Sequence, residues 1–295
     1  VTDSSQRLHI ASAALSADVA TLGAELQNLS DADGRRLQWD GDPAVWSGRA
    51  PLLFPIVGML AGGAYRFDGR RYAMPKHGFA RHATFDVVSH AAGSAVLRLQ
   101  PDPSTRAMYP FEFQLDVAIT MLDACVTLTA TIANHDSRPM PVSFGFHPAL
   151  CWPLPFGEPR RDHVVRFADN EPAMIRRIDA GGLLLPTPQP TPVDGDVLVL
   201  RDALFVDDAL IFDRLTSRRV TYGARRGPRL RVTFEGFPML GIWTKPGSAG
   251  FICIEPWQGC ADPVGYDGDI RDKPGVVMIE PGLSRVFAMT IALET

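Results

Sequence analysis

Cysteine is scarce in this chain, and its four copies, Cys125, Cys151, Cys253 and Cys260, form no CxxC pair and no zinc-finger spacing. A disulfide framework is therefore not expected, and free buried thiols in a reducing compartment are. No apolar run approaches the roughly 20 residues of a membrane helix. No basic block occurs, and the formal net charge is −4, which argues against nucleic acid or an anionic membrane surface as a partner. The first residues, VTDSSQRLHI, lack the charged-then-apolar layout of a secretory leader and lack an initiator Met, the mark of a trimmed or engineered start. A soluble cytoplasmic protein is the expectation. There is no GxSxG nucleophile elbow, no Gly-rich phosphate loop, and neither HxH nor HExxH for a metal. Two histidines and a glutamate could hold zinc in principle, but no ligand pair lies close in sequence, so the metal reading is open but not favoured.

What is present is alternation. In CVTLTATIAN (125–134), Val126, Leu128, Ala130 and Ile132 point one way and the threonines the other. FQLDVAITM (113–121), RLRVTFEG (229–236) and VFAMTIALE (286–294) repeat the period of two, the last with Phe287, Met289, Ile291 and Leu293 inward. These read as half-buried antiparallel strands. Asp68-Gly69 in AYRFDGRRYAM signals a type I′ hairpin, and Asp33-Gly34 repeats the signal. The 25 prolines and 26 glycines are spread along the chain, which suits many turns and few long helices. A Pro-rich stretch, 153–196, reads as long loops and edge strands. With hydrophobic residues at 46%, a large core can form, and the expectation is one all-β domain over residues 1–295, built of two large facing sheets.

Three segments combine a titratable side chain with an apolar or Gly/Pro-rich setting: MPKHGFARH (74–82), SFGFHPAL (143–150) and CIEPWQGCAD (253–262). Each reads as a strand end entering a tight turn, where function concentrates. Glu255 leaves a run that should be buried. It either turns into solvent or pairs with an arginine, or it belongs to a site; Pro256, stiffening the exit, and Trp257, a flat apolar face, favour the site. His147 is open between a satisfied core histidine and a catalyst, and His77 between a turn cap and a site residue. His9, His82, His90, His135 and His163 stand in polar contexts and read as surface.

Taken in order, LFPIVGML…YRFDGRRYAMPKHGFARHATF, SFGFHPAL and GIWTKPG…FICIEPWQGCAD resemble the aldose 1-epimerase (galactose mutarotase-like) family, most nearly its LacX-like bacterial branch, from about residue 8 to the end. The resemblance implies a β-supersandwich and a cofactor-free exchange of α and β anomers of a free aldose. It places the general base on Glu255, the general acid on His147 and a second site histidine on His77. A sugar-binding aspartate falls on Asp207 or Asp208, with Asp208 preferred. Arg81 is a candidate cation, Arg49 a weaker one, and Trp257 or Phe79 would stack on the pyranose. Members of the branch commonly read FPIVGRL, and this chain has Met59 in place of that arginine.

These residue types suit the reaction. One group takes the proton of the C1 hydroxyl and the other gives one to the ring oxygen; the ring opens, the aldehyde rotates and the ring closes. An imidazole with its reference pKa of about 6.5 has both protonation states accessible near neutrality. The implied geometry sets carboxylate and imidazole on opposite sides of the anomeric carbon–oxygen bond. The partner is a small-molecule hexose, and the protein a monomer or weak homodimer. A hexose-6-phosphate 1-epimerase and a non-catalytic sugar-binding protein are the rivals.

Overall fold

Side chains that alternate in sequence alternate in space. The strand Cys125–Asn134 buries Val126, Leu128, Ala130 and Ile132 and leaves its threonines half-exposed. In the computed structural model, which describes residues 6–247 and 249–295, this strand lies inside a nine-stranded antiparallel sheet. Across that sheet run Val197–Val199, His163–Phe167, Arg219–Ala224, Arg229–Glu235, Ser284–Glu294, Cys125–Asn134, Phe113–Leu122, Ser94–Leu99 and Asp86–Ala91. A six-stranded sheet faces it, ordered Leu210–Phe212, Met239–Trp243, Phe251–Gln258, Phe144–Phe146 and Leu52–Leu53, with Ala149–Cys151 also paired to Phe251–Gln258.

The two sheets share one core. Phe144 of the smaller sheet stacks on Phe287 of the larger with ring centroids 5.4 Å apart. Ile252 and Ile254 pack into the same apolar cluster as Val126 and Leu128. Each such buried side chain contributes about 1.5–3 kcal/mol. Leu293 keeps the inward parity but sits half-buried at the rim, where its strand outruns the core. Asp68 and Gly69 take φ of 48° and 75° between the strands Ala64–Phe67 and Arg70–Ala73, the left-handed pair a type I′ turn needs. The one α-helix among the described residues, Pro103–Met108, is capped by Asp102. No helix among them is long and apolar enough to cross a membrane.

Two readings of the sequence change. The 153–196 stretch is not all loop and edge: His163–Phe167 is bonded to a strand on each side, and the edge is Val197–Val199. His163 is not on the surface but 1% exposed. Its Nε2 accepts the Leu154 N–H at 3.0 Å and its Nδ1 lies 3.0 Å from the Pro159 carbonyl, so the ring pins the Pro-rich turn.

Candidate active site

The site is built on the outer face of the smaller sheet. Along Phe251–Gln258, Ile252 and Ile254 enter the inter-sheet core, so the period of two turns Phe251, Cys253, Glu255 and Trp257 the other way. Glu255 is therefore in mid-strand, not at a strand end, and Pro256 does not end the strand. The neighbouring chain is likewise continuous through His147. Gly145 pairs with Trp257 and Ala149 with Cys253, so one register runs through and sets His147 opposite Glu255. Pro148 and Pro256 lack the N–H groups that would close the ladder there. The backbone is thinned at the one place where the two side chains meet: His147 Nε2 lies 3.1 Å from Glu255 Oε2.

The carboxylate and imidazole thus stand side by side, not on opposite sides of a sugar. Cross-strand partners on one face of a sheet are adjacent by construction.

His77 arrives from another quarter. Its own N–H donates to the Gly58 carbonyl at 2.9 Å, and its Nδ1 accepts the Gly58 N–H at 3.1 Å. With Nδ1 an acceptor, the neutral ring carries its proton on Nε2. The ring stands edge-on to His147, centroids 6.0 Å apart. The turn is possible because Gly78 passes over Phe54 with φ of 75°.

Glu255, His77, His147, Arg81, Asp208 and Trp257 all line one cavity of about 160 Å³. Asp207 faces instead an adjoining outer cavity of about 730 Å³, which Met59 also lines. Met59 thus lines the neighbouring cavity and not the one that holds His147 and Glu255. Lys76, Ile178, Gly182, Asp208 and Trp243 are common to both cavities; Ile178 and Gly182 come from the Pro-rich stretch.

Two candidates fall elsewhere. Phe79 is 4% exposed and packs against Phe54, Tyr109 and Phe113 in the core, outside the cavity, because the Gly78 turn carries its ring inward. Phe79→Ala should cost about 3–5 kcal/mol of stability in denaturant unfolding. Arg49 is held away from the cavity: its Nε donates to the Asp40 carbonyl at 2.7 Å and its guanidinium bonds Gln27.

Three further residues join the lining: Lys76 and Trp243 stand inside quoted motifs without being singled out, and Trp46 carries no local pattern. Trp46 stacks on the His147 ring at 5.2 Å, and Trp243 meets Trp46 edge-on at 5.4 Å. Lys76 adds a second cation. Two glycines gain meaning only from the register. A Cβ on Gly241 would lie 2.5 Å from the Trp257 ring, and one on Gly145 2.7 Å from it. The indole lies flat over both neighbouring strands because neither has a side chain there.

Burial sets the charge state. It drives the Glu255 carboxyl well above the usual carboxylate range; Asp208 adds to this, and Lys76 and the Trp257 indole oppose it. It pushes His147 down to about 3, and the positive charges of Lys76 and Arg81 act the same way. His77 is also lowered well below 6.5, by burial first and then by His147, Lys76 and Arg81. His147, expected as the general acid, is therefore a neutral ring in the free protein. His147 Nδ1, Glu255 Oε2 and Trp257 Nε1 are buried with no hydrogen-bond partner among the described residues, a set that a polyhydroxy ligand can satisfy. Among the described residues, one group has donors placed for a metal: His147, Cys253 and Glu255.

A family model described as aldose 1-epimerase matches residues 6–275. The LacX protein (chromosomal) of Lactococcus lactis subsp. lactis is 32% identical over 276 residues, spanning 90% of this chain and 92% of LacX. A galactose mutarotase related enzyme from Lactobacillus acidophilus has a TM-score of 0.90 at 28% identity, over 98% of each chain. A galactose mutarotase-like protein from Lactobacillus casei ATCC 334 has a TM-score of 0.91 at 27% identity, over 98% of this chain and 100% of its own.

Proposed function

Since this chain belongs to the aldose 1-epimerase family, we propose that it interconverts the α and β anomers of a free hexose without a cofactor, with Glu255 as base, His147 as acid and His77 as the group that holds the sugar. The observation that carries this reading is the pair itself: a buried imidazole and carboxyl 3.1 Å apart in a sugar-sized chamber.

The proton inventory of the pair makes the roles workable. A carboxylic acid beside a neutral imidazole holds as many protons as a carboxylate beside an imidazolium. Burial favours the first form. A sugar donating its C1 hydroxyl to Glu255 and presenting its ring oxygen to His147 favours the second. Misaligned contacts of this kind tighten when substrate binds. Glu255 then takes the C1 hydroxyl proton while His147 protonates the ring oxygen, and the C1–O5 bond breaks. After rotation about C1–C2 the two transfers reverse and the ring closes on its other face. His77, with its proton on Nε2, donates to the ring oxygen or a neighbouring hydroxyl. Trp257 offers the pyranose a flat surface and Asp208 accepts from a hydroxyl. No electron or group changes hands between molecules, so the chemistry is one of proton transfer.

Polarimetry tests it. Fresh α-D-glucose or α-D-galactose should reach its equilibrium rotation faster with the protein than without; an unchanged spontaneous rate for all common aldoses would refute the free-sugar reading. Lys76 and Arg81 favour one second reading, a phosphorylated aldose. Lys76 has no hydrogen bond or ion pair among the described residues, and both cations border the chamber. Glucose and glucose 6-phosphate assayed side by side separate the two.

A further inference from the structure

Cys253 belongs to none of the roles above, yet its thiol is fully buried against the reacting pair. One donor atom from each of His147, Cys253 and Glu255 lies within 4.8 Å of the other two. We propose that these three side chains form a binding site for a soft divalent cation, zinc above all, and that the ion switches the enzyme off by capturing both its acid and its base.

The donor set is the first argument. A thiolate with an imidazole and a carboxylate suits zinc, whereas magnesium and calcium select oxygen ligands alone. Charge is the second. A divalent ion with one thiolate, one carboxylate and a neutral imidazole sums to zero, which a buried site tolerates and a net charge would not. Geometry is the third. Tetrahedral zinc with bonds of about 2.0–2.3 Å sets its ligand atoms roughly 3.3–3.8 Å apart. The imidazole and carboxylate are already at 3.1 Å, and the thiol closes at most about one ångström by rotating.

An unspent acceptor is the fourth. Glu255 Oε2, in a side chain 1% exposed, has no hydrogen-bond partner among the described residues. His77 is not a ligand here, since its Nδ1 already accepts from Gly58. Both His147 and Glu255 open on the cavity, which gives the ion a route in and leaves its fourth position to water or a sugar hydroxyl. On binding, a zinc–sulfur bond forms and the thiol proton leaves to solvent. Any proton on the carboxyl leaves with it. No oxidant or reductant is involved.

Binding stands apart from the acid–base assignment; only the loss of turnover rests on it. The test uses the full chain freed of metal, titrated with zinc in a calorimeter and with cobalt(II) in a spectrophotometer. The expected result is one ion per chain, a thiolate-to-cobalt charge-transfer band, and mutarotation falling over the same zinc range, with magnesium inert. Cys253→Ser should lose the band and weaken zinc at least about tenfold. Cys260→Ser, which removes another buried thiol, should keep both. No cobalt–thiolate band, or a band that survives Cys253→Ser, overturns the site. If Cys253→Ser does not fold, X-ray absorption on the zinc-loaded wild type decides: one sulfur with nitrogen or oxygen neighbours supports the site, and no sulfur refutes it. Stoichiometric binding through Cys253 with the rate unchanged leaves the site standing and removes His147 and Glu255 from catalysis.

Discussion

Glu255→Gln lowers the rate of mutarotation by at least about a hundredfold, the contribution of one positioned acid or base. Glutamine keeps the size and one acceptor oxygen but cannot take the C1 hydroxyl proton. His147→Gln should fall by a similar factor. The double variant should fall little further, because each member is useless without the other's proton; losses that multiply would show two independent groups instead. Single-turnover polarimetry at saturating sugar reads all three.

The same substitution should not weaken the fold. Glu255 has its carboxyl raised far above 4.5 by burial. Above pH 4.5 the unfolded chain loses this proton while the folded chain keeps it, so the folded state binds more protons. Stability contributed by the carboxyl therefore falls as pH rises through that window. Glutamine has no proton to lose. The melting temperature of Glu255→Gln should equal or exceed that of the wild type at neutral pH, and the difference should shrink on acidification towards pH 4.5. A large drop in melting temperature would mean that the carboxylate is a structural partner and not a strained, functional one.

Gly78→Ala should unfold the His77 turn at a cost of at least about 3 kcal/mol. A Cβ there would lie 2.0 Å from the Phe54 carbonyl oxygen and 2.4 Å from its carbon, and φ is 75°. The obstacle is backbone and cannot rotate aside. The same carbonyl accepts from the N–H groups of Phe79 and Ala80, so any shift strains the bonds that join the two segments. Gly69→Ala is the control. Its φ is also 75°, but nothing lies within 4 Å of a Cβ. It should lose only the left-handed backbone term, about 1–2 kcal/mol. Denaturant midpoints at unchanged slope measure both, and equal losses would show that the approach to Phe54 is not tight. Surviving Gly78→Ala protein should also bind sugar poorly, since His77 is the next residue.

Several features are legible in the order of residues itself. Strands such as Cys125–Asn134 follow from alternation, and the hairpin at Asp68-Gly69 from turn chemistry. For other features the local pattern points the wrong way. His163 stands in a charged segment yet is buried, because its ring nitrogens hold a turn together. Phe79 looks available beside a site histidine, but a glycine turn reverses the chain and sends the ring inward. Trp46 lines the chamber as Trp257 does and carries no signal of its own, since it lies outside any strand. The prolines after His147 and Glu255 are visible as strand exits; only the shared register shows that they thin the ladder between two continuous strands.

From the residues alone come the two-residue period, the turns and the candidates for acid–base chemistry; these depend on chemical type and on neighbours a few bonds away. Only the folded molecule decides that His147 and Glu255 are cross-strand partners, that Cys253 lies against them, and that both histidines near the chamber are neutral. Contact and desolvation are set by atoms far along the chain, and no local pattern records how distant strands come into register.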